Sequence, residues 1–183
     1  MVNIQGYIFD LDGVVVDTAR FHYLAWKETA RELGFELTRE DNERLKGVSR
    51  MESLEIILGL AGIDLDEKQK RAFAQEKNAR YLRWVETLRP SDTLPGVVSY
   101  LRELKKAHKL IALASASQNA RRVIGLLKID PLFDAVIDGS MIERTKPDPE
   151  IFIKAAQALA LPPERCVVFE DAKNGIEAAK AAG

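Results

Sequence analysis

The stretch Gly6-Tyr7-Ile8-Phe9-Asp10-Leu11-Asp12-Gly13-Val14-Val15-Val16-Asp17-Thr18 decides how the rest of the chain is read. It begins as a short apolar run without polar alternation, the pattern of a strand buried on both faces of a parallel sheet. Two carboxylates two residues apart follow, then a glycine. In an open α/β sheet, ligands bind beyond the carboxyl ends of the strands. Asp10 then stands at a strand tip and Asp12 in the next loop, which Gly13 lets turn sharply. One carboxylate so placed can attack phosphorus while the other handles a proton. The bland alternative is an acidic turn that merely ends a strand.

Working outward, three more apolar runs read as strands, at 110–114, 133–137 and 167–169. Helical periodicity falls at about 97–107, 118–127 and 149–159, so strands and helices alternate as in a doubly wound parallel sheet. The block 18–87 shows only helical periodicity, broken by Gly34, Gly47 and Gly62. Thr38 with Asp41 and Ser49 with Glu52 fit the reciprocal N-terminal capping pattern, and about four helices are expected there. The domain reading is therefore an α/β core of residues 1–17 and 88–183, with 18–87 inserted as a helical-bundle cap. The turn-rich Pro90-Ser91-Asp92-Thr93-Leu94-Pro95-Gly96 is the return linker. The chain stops at Gly183, after a helix at about 174–182 that should lead to another strand. A C-terminal edge strand is thus expected to be missing, leaving one sheet edge uncovered.

Bulk properties exclude several functions. The chain has 183 residues, 27 basic and 28 acidic side chains, and a formal charge of −1. No basic surplus favours nucleic acid or an anionic membrane, and neither is expected as a partner. The single cysteine, Cys166, makes no internal disulfide, which suits a reducing, cytoplasmic setting. The N-terminus lacks a signal-peptide pattern, and no apolar run reaches the ~18 residues of a membrane helix.

Three more groups follow predicted strands. Ser115-Ala116-Ser117-Gln118-Asn119 comes after the second; Ser115 and the loop amides can hold a phosphate, and Ser117 can cap the next helix. Thr145-Lys146-Pro147-Asp148-Pro149 places a lysine just before a helix. Asp148 and Pro149 are explained as an N-cap and first turn, while Lys146 is left to pair with a phosphate or carboxylate. Glu170-Asp171 forms a second acidic pair at a fourth strand tip, followed by Gly175. Carboxylates converging at one sheet edge repel unless a cation neutralises them, and all-oxygen ligands that admit a phosphate favour magnesium.

With these four signals in this order, the chain resembles the haloacid dehalogenase superfamily of aspartate-nucleophile phosphotransferases over essentially its whole length. The resemblance implies a Rossmann-like core in which Asp10 is the nucleophile and forms an aspartyl-phosphate. Asp12 is then the general acid/base and lends its backbone carbonyl to magnesium. Ser115 and Lys146 hold the transferring phosphoryl group, and Asp171 with Glu170 completes the metal site.

The cap residues address the substrate. Thr18, His22 and Trp26 are spaced i, i+4, i+8, on one face of the first cap helix. In Lys46-Gly47-Val48-Ser49-Arg50-Met51-Glu52-Ser53, two cations and hydroxyls flank a glycine that permits close backbone approach, which suits a second phosphate. A solvated basic turn is the bland alternative. Lys77-Asn78 lies on a later, highly charged helix. With Asn119 and the Thr145-Lys146-Pro147 segment, these residues resemble the beta-glucose-phosphate mutases of the superfamily. That resemblance implies a magnesium-dependent isomerase, exchanging the 1- and 6-phosphates through a 1,6-bisphosphate and working as a monomer. Arg50 would grip the non-transferring phosphate near Ser115, Ala116, Ser117 and Asn119. Lys46, Gly47, Ser53, Lys77 and Trp26 would face the sugar, and Thr18 and His22 would help position Asp12. Gln118 stands where some relatives carry lysine. A sugar-phosphate phosphatase and a non-catalytic binder of phosphorylated ligands remain the alternatives.

Overall fold

The computed structural model describes residues 3–183. The chain divides into two compact units, one formed by Met1–Asp17 with Leu88–Gly183 and the other by Thr18–Thr87.

The first unit is built on a four-stranded parallel sheet: β1 (Gly6–Phe9), β2 (Leu110–Ala114), β3 (Ala135–Ile137) and β4 (Cys166–Phe169), in the order β3-β2-β1-β4. β1 lies between β2 and β4, with Gly6 opposite Leu110 and Cys166, and Phe9 opposite Leu113 and Phe169. The first crossover runs from β1 toward β2, while the last carries the chain to the other side of β1. That reversal opens a crevice at the carboxyl ends of β1 and β4, where an α/β sheet takes its ligand.

Alternation along the strands sends side chains to two faces, and each is covered by helix. On one face Ile8, Ala112, Ala114 and Ile137 pack with Ile151, Phe152 and Ala155 of α7 (Glu150–Ala158) and Ala178 of α8 (Lys173–Ala182). On the other, the Phe9 and Phe169 rings stack at 4.5 Å, and Tyr100 of α5 (Val97–Lys106) meets both edge-on at 6.2 and 5.8 Å. The sheet is therefore doubly wound, and truncating an enclosed residue such as Phe152 would cost about 3–5 kcal/mol. β4 is an outer strand, and no strand pairs with its far side among the described residues.

Three local expectations shift. β3 begins at Ala135 rather than 133, because Asp134 binds β2 through its side chain as well. Its carboxylate accepts from the Ile111 amide (2.8 Å) and from Lys105 (2.5 Å). The helix after β2, α6 (Ala120–Leu126), starts late, since the Ser117 hydroxyl accepts from the Asn119 amide (3.2 Å) and closes a turn ahead of it. Ser117 is thus a loop residue and not that helix's N-cap. At α7, the Asp148 carboxylate accepts from the Glu150 amide at 2.9 Å, so it still serves the helix start although the helix begins one residue later.

Where the chain leaves and re-enters this unit, its two arms are joined. Val16 bridges Thr93, and the Leu94 amide donates to the Val15 carbonyl at 2.9 Å. The second unit holds α1 (Ala19–Glu32), α2 (Arg39–Glu43), α3 (Arg50–Ala61) and α4 (Glu67–Val85). Reciprocal capping boxes open three of them, at Thr38/Asp41, Ser49/Glu52 and Asp66/Gln69. Trp26, Ala30, Leu37, Leu45, Leu54, Ile57, Leu58 and Ala74 form the core. Arg80, buried on α4, ties α1 to α4 by donating to Thr29, Glu32 and Glu76. No helix among the described residues is long and apolar enough to cross a membrane.

Candidate active site

The site of the α/β unit begins with the turn after β1. Asp10, 7% exposed, is fixed by its amide donating to the Phe169 carbonyl at 3.0 Å. Gly13 takes φ +82 and donates to the Val16 carbonyl at 2.9 Å, closing the turn that follows Asp12. A Cβ on Gly13 would overlap the Asp171 carboxylate, so the absence of a side chain is what admits that carboxylate beside the turn.

Lys146 connects the two acidic pairs. Its ammonium lies 2.6 Å from Asp10 Oδ1 and 2.6 Å from Glu170 Oε2, its side chain only 1% exposed, with the Phe152 ring 5.0 Å away. The other Glu170 oxygen accepts from the amides of Asp171 (3.2 Å) and Ala172 (3.0 Å). Gly175 makes room for this, since any Cβ there would strike the Glu170 carboxyl.

Charge in this cluster does not balance. Burial raises Asp10 from 3.8 to about 7; Lys146 opposes the rise, and Glu170 and Asp12 add to it. Burial also acts against charge on Lys146, but the two carboxylates outweigh it and hold the ammonium above its ordinary value. One cation thus serves two buried acids, and the surplus negative charge falls on Asp10. Asp10, Glu170 and Asp171 each offer an oxygen within 4.8 Å of the others, a hard-donor set of the kind that binds magnesium. The donor chemistry fits and so does the Gly13 cradle. Glu170, already accepting at both oxygens, is better suited to holding Lys146 than to being a primary ligand.

Just past the end of β2, Ser115 is buried and donates its amide to the Ile137 carbonyl at 3.0 Å. Its hydroxyl accepts from the Ser117 amide at 3.2 Å, which orients it and leaves its proton to donate. The Ala116 and Ser117 peptides are backed by Gly139, whose amide donates to the Ser117 carbonyl at 3.4 Å. Asn119 follows as the residue before α6.

The helical unit gathers its own cluster. His22 on α1 and Lys77 on α4 meet with 2.8 Å between Nδ1 and Nζ. A lysine ammonium only donates, so Nδ1 accepts and the imidazole carries its proton on Nε2. Burial, then Lys77 and Arg50, keep His22 well below its ordinary value and therefore neutral. Lys77, 2% exposed, has the Trp26 ring 4.6 Å and the Tyr81 ring 5.3 Å from its ammonium. Trp26 is at once core and wall of this lysine's cage. Thr18 is fully buried and accepts from the Tyr81 hydroxyl at 3.4 Å.

The Lys46–Ser53 stretch is more mixed. Gly47 has φ +79, as a sharp turn before α3 requires. Lys46 pairs with Glu43 at 2.9 Å, and Arg50 is half-buried at the start of α3. Ser49 is the N-cap, and the buried Ser53 hydroxyl donates back to the Ser49 carbonyl at 2.9 Å, so it can only accept from a ligand. Tyr81 was missed from sequence. The signal was its position four residues after Lys77, one turn along α4, just as Trp26 follows His22 on α1.

Comparison with known proteins gives the family of the chain. A family model described as haloacid dehalogenase-like hydrolase matches residues 4–183. The chain is 42% identical over 182 residues to a beta-phosphoglucomutase of Bacillus subtilis, covering 98% of this chain and 80% of that one. A phosphorylated carbohydrates phosphatase of Thermotoga maritima is 33% identical over 184 residues, covering 98% and 82%. The crystal structure of a beta-phosphoglucomutase from Clostridium difficile superimposes with a TM-score of 0.95 at 41% identity, covering 98% of this chain and 81% of that one.

Proposed function

The chain belongs to the haloacid dehalogenase-like hydrolase family, and from that premise we propose that it is a phosphomutase interconverting beta-D-glucose 1-phosphate and glucose 6-phosphate. The carrying observation is the 42% identity to the Bacillus mutase across 98% of the chain, with Asp10, Lys146 and Glu170 bonded in one cluster.

In the proposed cycle the resting enzyme carries phosphate on Asp10. The sugar 6-hydroxyl attacks that phosphorus, Asp12 takes the hydroxyl proton, and the Asp10 carboxylate leaves. The 1,6-bisphosphate then turns end for end. Asp10 attacks the 1-phosphate, Asp12 returns its proton to the departing sugar oxygen, and glucose 6-phosphate is released. Lys146 and Ser115 hold the equatorial oxygens throughout, as in-line transfer requires. Magnesium, held by Asp10, Asp171 and the Asp12 carbonyl, supplies neutralisation of those oxygens when bound. Arg50 takes the non-transferring phosphate, and Lys77 with His22, Lys46 and the Gly47 backbone serve the sugar. Binding energy from these groups favours transfer to the sugar over transfer to water. The chemistry suits a cytoplasmic enzyme acting as a monomer.

The Thermotoga relative, a phosphorylated carbohydrates phosphatase, defines the second reading: the same aspartyl-phosphate discharged to water. One tube separates them. Protein, magnesium and beta-glucose 1-phosphate, primed with a trace of the 1,6-bisphosphate, are followed for glucose 6-phosphate and free phosphate together. Fast glucose 6-phosphate with little free phosphate, lost in Asp10→Asn, is the expected result. Mostly free phosphate overturns the mutase in favour of the phosphatase.

A further inference from the structure

We infer that Tyr81 is a positioning residue for the proposed reaction, its ring and hydroxyl together holding His22, Lys77 and Thr18 in one arrangement. The inference rests on the mutase reading and deepens it. Tyr81 is fully buried on α4, among the largest enclosed side chains of the described residues. Tyr81 is not enclosed by aliphatic groups alone. The Tyr81 ring lies against the His22 imidazole, centroids 4.0 Å apart and tilted by 34°. The Lys77 ammonium sits 5.3 Å from the ring centroid, and the hydroxyl donates to Thr18 at 3.4 Å.

These contacts form a closed circuit. Thr18, just ahead of α1, and His22 on α1 are one turn apart, Lys77 and Tyr81 are one turn apart on α4, and each of the two α4 residues touches one of the first pair. The ring has two effects. Its apolar face covers one side of the imidazole, which together with the positive charges facing it disfavours charge on His22. Its π-face attracts the ammonium that donates to Nδ1, so the tautomer with a proton on Nε2 is the one maintained. The titratable and charged groups facing His22 are Lys77 and Tyr81 from α4 and Arg50 from α3. Thr18 is the first residue of the helical unit, where the chain enters it, so the hydroxyl bond ties the cluster to that entry.

Two variants test this. Tyr81→Leu removes ring and hydroxyl; Tyr81→Phe removes the hydroxyl alone. The chain has two histidines, so nitrogen-detected imidazole spectra report His22 directly, with the exposed His108 as internal control. In the parent, His22 should keep its proton on Nε2 and stay silent from pH 5.5 to 8. In Tyr81→Leu, His22 should titrate in that window and kcat/KM for beta-glucose 1-phosphate fall about a hundredfold, the scale of a misplaced sugar-side group. Phosphorylation of Asp10 by acetyl phosphate, which needs no sugar contact, should stay within about twofold. Tyr81→Phe should restore the His22 spectrum and leave kcat about threefold down. An unchanged His22 spectrum with parental kcat/KM in Tyr81→Leu overturns the inference. If that variant does not fold, parental kcat in Tyr81→Phe overturns it instead. If the parent does not act on beta-glucose 1-phosphate, the mutase reading fails by itself, and the His22 spectra still decide the role of Tyr81.

Discussion

Replacing the proposed nucleophile, Asp10→Asn, should make the metal-free protein more stable, and increasingly so as pH rises. Asp10 carries the surplus negative charge of its cluster, and its carboxyl is raised from 3.8 to about 7. A carboxyl that binds its proton more tightly folded than unfolded stabilises the fold fully at low pH. That contribution drains away as pH rises from about 4 to about 7, and is gone above. The interval is about three pH units, and at ~1.36 kcal/mol per unit the ceiling is about 4 kcal/mol. Asparagine has no proton to lose, and its amide oxygen can still accept from Lys146. The attraction of Lys146 for the Asp10 carboxylate is already contained in the value of about 7 and is not subtracted again; an amide in place of the carboxyl makes a poorer set of hydrogen bonds, which returns about 1–2 kcal/mol. The net expectation at pH 8 is a gain of about 1–3 kcal/mol, shrinking toward zero near pH 4 to 5. The assay must read the sheet, because both tryptophans, Trp26 and Trp84, lie in the helical unit. Amide hydrogen exchange of β1 and β4, with chelator at pH 5 and pH 8, is the suitable measurement. A variant no more stable than the parent at pH 8, or a gap independent of pH, would refute the charge-surplus argument. Magnesium should stabilise the parent far more than the variant and narrow the gap.

Three further outcomes follow from the same geometry. Magnesium binding calorimetry in buffers of different ionisation enthalpy should show nearly a full proton released at pH 6 and little at pH 8.5, because the metal must displace the proton held by Asp10. Gly13→Ala should lower magnesium affinity at least tenfold and cost about 1–2 kcal/mol, since φ +82 is strained for alanine and its Cβ would push the Asp171 carboxylate away; unchanged affinity by the same calorimetry counts against the cradle. Arg80→Met should destabilise the helical unit by about 1–3 kcal/mol in urea followed by tryptophan fluorescence. The loss stays moderate because Glu32 and Glu76 are half exposed and rehydrate once the buried guanidinium is gone.

Most of the fold was legible because its signals are local. The four strands are runs of apolar residues that must be covered on both faces, and three of them were bounded to within a residue. Thr38 and Ser49 announced helix starts because a capping box is written within four residues. What escaped depended on groups distant in sequence. β3 lost Phe133 and Asp134 because the Asp134 carboxylate is captured by Ile111 and Lys105, from 23 and 29 positions away. Ser117 could have capped α6 by sequence alone. The loop instead uses its hydroxyl two residues earlier in the path, chaining Ser115, Ser117 and Asn119 through successive amides.

For the candidate site, what could be read was which residues reach the crevice, and what could not was how they divide the charge. Asp10, Lys146 and Glu170 each follow or precede an element that ends at the same sheet edge, so topology alone brings them close. That Lys146 spans both acids at 2.6 Å is decided by side-chain packing against Phe152 and by Gly175 leaving room for Glu170. The same division explains Tyr81. His22 and Lys77 carry groups with obvious chemistry and were singled out for it; a tyrosine on a charged helix carries no such mark. Its role exists only once α1 and α4 are paired, when a ring placed for packing also becomes the surface that covers one side of an imidazole beside an ammonium. Residues that act on substrate advertise themselves by type and spacing, whereas residues that act on those residues are visible only through the contacts that folding creates.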